Sequence, residues 1–239
     1  MQSIFKRYEK KYLISKDLAL DFQKLLLQHM DQDRFSGCLV QNLYYDTENW
    51  DIIRTSIERP LYKEKMRLRC YDVPDSNSKL FLELKKKFKG TIYKRRMAIP
   101  FIELSHSTIG DIVAAGTSQI SREFNFTIKK SDVSEKIYIA YRRTAFTGQE
   151  DTDLRITFDS DIHCRLEQLD FLNPGYGSFL LPEDIIVMEI KVFGGMPLWL
   201  ARGLSECTIF PGPFSKYGKC YTDFILKQVK VEKEEKTSA

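Results

Sequence analysis

Four stretches of the chain alternate charged and apolar residues: Met66-Arg67-Leu68-Arg69-Cys70, Leu82-Glu83-Leu84-Lys85, Leu154-Arg155-Ile156-Thr157-Phe158-Asp159 and Met188-Glu189-Ile190-Lys191-Val192. Side chains in a strand point to opposite faces with a period of two. Each stretch therefore predicts a strand with one charged and one apolar face. Residues 7–14 repeat the pattern, with Arg7, Glu9 and Lys11 on one face, and residues 62–72 place Lys63, Lys65, Arg67 and Arg69 together. Spread so widely, the pattern predicts one large sheet whose charged face is rich in lysine and arginine.

Further strands are expected at 38–46, 79–88, 91–99, 135–146, 154–165 and 183–193, with a hairpin around Lys89-Gly90 and a turn at Asp75-Ser76-Asn77-Ser78. Ser15 is a candidate N-cap for a helix reaching about Met30, with Leu18, Phe22, Leu25, Leu26 and His29 at helical spacing. A short helical piece at 48–57 is stopped by Pro60. Another helix is expected within 100–116, starting near Ser105 or Ser107 and ending before Gly116. Residues 117–133 are polar and give no firm element. Pro197 suits the first turn of a helix at 198–207, and a last helix is expected from about Ser215 to Val229. About eight strands with flanking helices define an α+β chain. Its sheet either closes into a barrel with a polar interior or stays open with a charged, exposed face. No linker divides it, so one domain is expected over 1–229, followed by a charged tail at 230–239.

The formal charge is +4, from 37 basic and 33 acidic residues. A general nucleic-acid binder carries a larger excess, so the cations matter by position. Tyr45, Tyr71, Tyr93 and Tyr141 could stack bases, although tyrosine in a strand is ordinarily packing. Five scattered cysteines without a CxxC, and histidines at 29, 106 and 163, give neither zinc-site spacing nor a disulfide framework. Reduced thiols in a cytoplasmic protein are the expectation. No apolar run approaches the ~20 residues of a membrane helix; if a membrane is involved, a partner protein must supply it. The absence of GxxxxGK[ST], GxGxxG and GxSxG excludes a P-loop site and gives no support to a serine hydrolase.

Lys11, Arg67, Arg69, Lys85, Arg155 and Lys191 fall on the charged face. Enclosed cations lose hydration and repel one another. Glu9, Glu83, Glu189, Asp159 and Asp161 offset part of this, and the remainder implies a bound polyanion, for which arginine forks and mobile lysines are suited. The plainer alternative is a solvated strand face with cross-strand ion pairs. A divalent ion held by one or two carboxylates and phosphate oxygens would suit phosphate chemistry. Glu189 is the first candidate ligand. Glu83 and Glu9 follow, each equally able to be a salt-bridge partner.

Eight motifs, in order from residue 7 to 219, carry a resemblance: Arg7-Tyr8-Glu9-Lys10-Lys11-Tyr12-Leu13, Tyr44-Tyr45-Asp46-Thr47, Arg67-Leu68-Arg69, Glu83-Leu84-Lys85, Arg143-Thr144-Ala145-Phe146, Leu154-Arg155-Ile156, Glu189-Ile190-Lys191 and Phe214-Ser215-Lys216-Tyr217-Gly218-Lys219. Together they resemble the VTC domain, the polyphosphate polymerase member of the CYTH / triphosphate tunnel metalloenzyme superfamily. The resemblance implies an eight-stranded antiparallel β-barrel tunnel with a polar, basic interior, flanked by helices. It implies transfer of the ATP γ-phosphate to a growing polyphosphate chain, primed by pyrophosphate, with Mn²⁺ or Mg²⁺ as cofactor and no specific nucleic acid. Carried over by motif, Lys11, Arg67, Arg69 and Arg143 would be catalytic. Lys85, Lys94, Arg96, Arg155, Lys191, Lys216 and Lys219 would bind phosphate, and Glu189 the metal. Strand parity favours Lys94 with Arg96, or Arg95 alone; the motif favours Arg143 over Arg142. A triphosphatase or short-chain polyphosphate hydrolase on the same fold, and a non-enzymatic polyphosphate or nucleic-acid binder, are the competing classes.

Overall fold

The computed structural model describes residues 7–34, 36–58, 60–89 and 91–227; the tail expected at 230–239 lies outside them. In chain order its elements are β1 (Arg7–Ser15), α1 (Lys16–Leu26), β2 (Met30–Gln32), β3 (Cys38–Asp46), α2 (Asp51–Ile57), β4 (Tyr62–Tyr71), β5 (Lys79–Phe88) and β6 (Thr91–Pro100). A 3-10 turn (Phe101–Ser105) leads to α3 (Ile109–Ala115), α4 (Gln119–Ser131), β7 (Ser134–Gly148), β8 (Arg155–Arg165), β9 (Ser178–Phe179), β10 (Ile185–Phe193), α5 (Leu198–Glu206) and α6 (Lys216–Cys220). The fold is α+β, as the pattern predicts.

The strands form one sheet in the order β1-β10-β8-β7-β3-β4-β5-β6, with β2 added to β7 and β9 to β8. The registered pairs are antiparallel. Among the described residues no pairing joins the terminal strands β1 and β6, so the expected closed eight-stranded barrel is, in its hydrogen bonding, an open sheet of ten strands. β6 has the character of an edge: most of its residues are exposed, and Lys94, Arg95 and Arg96 discourage pairing with another chain. No described helix is long and apolar enough to cross a membrane.

The chain divides into two compact units, each assembled from three segments. The first comprises Met1–Leu39, Tyr141–Ile162 and Phe179–Ser215. Its core takes every second residue of its strands: Tyr12 and Ile14, Ile156 and Phe158, Ile186, Met188, Ile190 and Val192. The helices α1 and α5 cover this apolar face through Ala19, Phe22, Leu26, Leu200 and Leu204. Burying a side chain such as Phe22 contributes about 1.5–3 kcal/mol. The two helices meet at Gly203, where an added Cβ would lie 2.3 Å from a Leu25 methyl group. Alternate residues of the same strands, Glu9, Lys11, Arg155, Thr157, Asp159, Glu189 and Lys191, are thereby directed to the other face.

The second unit comprises Val40–Ala140, His163–Ser178 and Lys216–Ala239. Met66, Leu68, Leu80, Leu82, Leu84 and Ile99 are buried on one face of β4, β5 and β6, with Ile109, Val113 and Phe124 buried on α3 and α4. Two contacts fix α4 along β6: the Ser121 hydroxyl meets the Met97 sulfur at 3.5 Å and Arg95 pairs with Glu123 at 3.0 Å.

Several boundaries differ from the sequence reading. Ser15 caps α1 as predicted, accepting from the Leu18 amide, but the helix stops at Leu26 rather than Met30, because Met30–Gln32 pairs with β7. The expected start near Ser105 or Ser107 is displaced to Thr108, which forms a capping box with Asp111. The polar stretch 117–133 is helical as α4, capped by Ser118. The last helix is as expected over 216–227, with its middle turn, Tyr221–Ile225, in π-helical form between α-helical Lys216–Cys220 and Leu226 and Lys227; its expected end at Val229 lies outside the described residues.

Candidate functional site

In the first unit the register sets Lys11 opposite Glu189, and Glu9 opposite Lys191. On the other side of β10, Thr157 lies opposite Glu189 and Arg155 opposite Lys191. The Glu189 side chain is 10% exposed; its carboxylate pairs with Lys11 at 3.6 Å and with Lys191. Burial alone would raise its pKa, but the charges of Lys191, Lys11 and Arg143 outweigh burial and hold it at about 2. Glu189 is therefore a buried, permanent anion at neutral pH. Lys11 also reaches exposed Glu9 at 3.8 Å and donates to the Phe214 carbonyl at 3.3 Å. Arg143 makes a two-pronged contact with fully buried Asp159, at 2.6 and 2.8 Å. Arg142, its neighbour, is exposed. Arg155 is exposed and pairs with Asp33 at 3.0 Å.

In the second unit Glu83 is the centre. Its side chain is 3% exposed. Its Oε2 accepts from Arg67 Nε and Nη2 at 2.8 and 2.6 Å. Its Oε1 accepts from Arg96 Nε at 2.9 Å and pairs with Lys94 at 3.0 Å. Burial opposes its ionisation, but Arg67, Arg69 and Lys94 overcome this and hold its pKa far below the usual carboxylate range. Arg67 also donates to the Tyr44 hydroxyl at 3.2 Å. Arg69, largely buried, donates to Asn42 at 2.9 Å, and Asn42 in turn donates to the Ile139 carbonyl. Lys94 and Arg96 share the Glu83 face, while Arg95 turns to Glu123 on α4.

Lys216 and Lys219 sit half-buried on α6, and Lys219 pairs with Asp223 at 2.8 Å. Between them, Tyr217 donates to buried Asp46 at 2.6 Å and stacks on Tyr44 with ring centroids 4.6 Å apart. Asp46 also accepts from the Thr47, Ile52 and Ile53 amides, so it ties the start of α2 to α6.

The arrangement is two clusters: around Glu83 the cations Arg67, Arg69, Lys94 and Arg96 outnumber the acid, while in the first unit Lys11, Lys191, Arg143 and Arg155 are matched by Glu189, Glu9, Asp159 and Asp33. Over residues 6–225 the sequence matches the family model of the VTC domain. The chain belongs to the VTC-domain family. Among solved structures, this VTC domain is similar to HpAC1 from Hippeastrum, an adenylyl cyclase candidate described as having a dominant triphosphatase activity. The identity is 18%, covering 89% of this chain and 93% of that one, with a TM-score of 0.51. It is also similar to the PH1819 protein of Pyrococcus horikoshii, at 14% identity, 93% and 99% coverage and a TM-score of 0.47. An adenylate cyclase candidate from Vibrio parahaemolyticus matches at 13% identity, 91% and 98% coverage and a TM-score of 0.47. At such identities the likeness to HpAC1 speaks for the fold alone. No curated protein matches the VTC domain significantly.

Among the described residues no group of three or more His, Cys, Asp or Glu side chains could cage a metal ion. The Thr157 hydroxyl, directly opposite Glu189, is buried without a hydrogen-bond partner among them. An anionic carboxylate beside an unsatisfied hydroxyl is an oxygen donor set, which fits a hard divalent ion completed by phosphate oxygens and water. Glu83 fits less well, since both its oxygens are taken by Arg67, Arg96 and Lys94. Thr157, Asn42, Tyr44, Asp46 and Tyr217 were not singled out in the sequence as site residues. Thr157 carried its alternate position in the strand pattern, and Tyr44, Asp46 and Tyr217 lay within the quoted motifs; Asn42 lay outside the motifs.

Proposed function

We propose that this VTC domain is a metal-dependent polyphosphate polymerase. It would move the γ-phosphate of ATP onto the end of a polyphosphate chain, with the family's eight-stranded tunnel as its working form. The observation that carries this reading is Glu189: a buried carboxylate kept ionised by Lys11, Lys191 and Arg143, beside the unpartnered Thr157 hydroxyl.

In the reaction, an oxygen of the acceptor's terminal phosphate attacks the γ-phosphorus, the bond to the β–γ bridging oxygen breaks, and ADP leaves. Charge spreads over the transferring group, so catalysis is mostly positioning and cationic stabilisation. Arg67 and Arg69 clamp the transferred group, held in place by Glu83, Tyr44 and Asn42. Lys11 and Arg143 neutralise neighbouring phosphates, with Arg143 fixed by Asp159. Lys85, Lys94, Arg96, Arg155, Lys191, Lys216 and Lys219 extend the contact along the chain. Glu189 and Thr157 would hold Mn²⁺ or Mg²⁺, which when bound screens and orients phosphate oxygens.

The acceptor is already an anion at neutral pH and needs no protein base. Hydrolysis, by contrast, needs a water whose proton is accepted as it attacks. Glu189 and Glu83 are held ionised far below the usual carboxylate range by their cations, which makes these two weak proton acceptors. The triphosphatase activity described for HpAC1 makes hydrolysis the second reading. Incubation with ATP and Mn²⁺, followed by gel separation of chains and an assay of free phosphate, separates them. Long chains are expected. Free phosphate from added tripolyphosphate, with no polymer, would replace polymerase by triphosphatase.

A further inference from the structure

Cys164 and Cys220 take no part in either charged cluster. Cys164 lies near the end of β8, and Cys220 ends α6, 56 positions further along the chain. Both belong to the second unit, and both are buried, at 2% and 0% exposure. Their sulfurs meet at 2.7 Å, the Cys220 thiol donating to Cys164. Cys70, also buried, instead turns its thiol to the Tyr71 and Asp72 carbonyls. Neither a CxxC nor any short spacing marks the pair in the sequence; the fold brings it together.

Each sulfur is held from its own side. Arg165, next to Cys164, donates to the carbonyls of Gln168, Asp170, Asn173 and Tyr176, and its guanidinium carbon lies 3.6 Å from the Tyr138 ring centre. This fixes the loop 166–177 against the end of β8. The closeness shows at Gly177, where φ is +141° and an added Cβ would lie 2.6 Å from the Cys164 carbonyl oxygen. On the other side, Tyr217 anchors α6 one turn before Cys220 through Asp46 and Tyr44, and Lys219 pairs with Asp223. A disulfide places its sulfurs about 2.05 Å apart, so bonding asks for a shift of less than about 1 Å, shared by two side chains.

We propose that Cys164 and Cys220 are a reversible disulfide site, oxidised by a low-molecular-weight disulfide such as oxidised glutathione, and that the bond pins α6 to the end of β8. The inference is independent of the polymerase reading. One cysteine thiolate attacks a sulfur of the glutathione disulfide; a protein–glutathione mixed disulfide forms and one glutathione thiolate leaves. The second cysteine thiolate attacks the protein sulfur of that mixed disulfide and expels the other glutathione thiolate. The two protons given up by the cysteines end on the two glutathiones, and the two electrons lost by the protein reduce the glutathione disulfide. Only a thiolate attacks, and contact with Cys164 together with burial pushes the Cys220 thiol up. Exchange therefore starts from molecules in which α6 has opened, and closing the bond holds α6 shut. A helix of about twelve residues interrupted by a π turn is marginal alone, which makes it an element that opens locally. Lys216 and Lys219 ride on the helix so fixed.

The test equilibrates the full chain, first reduced with dithiothreitol, in glutathione buffers of increasing oxidised fraction until the thiol count is constant. Free thiols are then alkylated with N-ethylmaleimide in denaturant, and peptides are mapped without reduction. The expected result is one linked pair, the peptides carrying Cys164 and Cys220, while Cys38, Cys70 and Cys207 are alkylated. The linked protein should gain about 5–10 °C in thermal midpoint, and amide hydrogen exchange over 214–227 should slow about tenfold. Dithiothreitol should reverse both changes. Cys220→Ser should show neither on oxidation, and Cys164→Ala carries the same comparison if that variant does not fold. Full alkylation of both cysteines in the most oxidising buffer overturns the site. So does glutathione retained on either one, or linkage of either to a different cysteine. A linked protein whose midpoint and exchange match the reduced form overturns the pinning of α6.

Discussion

Glu83 and Glu189 are both buried carboxylates among cations, yet their surroundings assign them different work. Glu83 has both oxygens occupied by Arg67, Arg96 and Lys94. Replacing Glu83 by Gln leaves those cations facing one another and should destabilise the fold by about 3–5 kcal/mol in urea unfolding. Glu189 keeps an unsatisfied hydroxyl beside it. Both carboxylates titrate below their usual value when folded. Their stabilising effect is therefore complete above about pH 4.5 and is lost as pH falls, through about 2 for Glu189 and lower for Glu83. The thermal midpoint should drop between pH 5 and 2.5, and the drop should be smaller in Glu189→Gln. Much of this was legible in residue parity: alternation placed Lys94 and Arg96 together and Arg95 apart. That Glu83 is saturated was not, since it follows from the register on both sides of β5, which one strand's sequence does not encode.

The most consequential element is α6. The expected helix from Ser215 to Val229 is helical over 216–227, with a π-helical turn at Tyr221–Ile225 inserted after α6. A helix of about twelve residues interrupted by a π turn is marginal alone, and its anchor is Tyr217 on Asp46 and Tyr44. Tyr217→Phe keeps the stack and loses the hydrogen bond to a buried carboxylate, so it should cost about 2 kcal/mol in chemical denaturation. Replacing Lys216 and Lys219 by Ala should shorten or slow product chains without changing the free energy of unfolding by more than about 1 kcal/mol, since the Lys219–Asp223 pair is partly exposed. Alternation was a reliable guide to the long strands because one of their faces is apolar and buried. It missed β2 and β9, which are too short to alternate, and α4. The buried side of α4 is Ser121, Phe124 and Thr127, a face with one strongly apolar member.

For the whole molecule, the α+β class and the family follow from motifs spread over nearly the full chain. Closure of the sheet does not, because it depends on strand tilt and stagger, and alternation reports only which way side chains point. Each unit carries a charged cluster, around Glu189 in the first and Glu83 in the second, and each of these two acids has a separate variant. Phosphorus NMR of ATP and Mg²⁺ incubated with the wild type or with Glu189→Gln tests the central claim most directly. Mid-chain phosphate signals should grow with the wild type and be absent with the variant, while both proteins keep the same fold. Orthophosphate alone, or equal polymer from both proteins, would contradict the account.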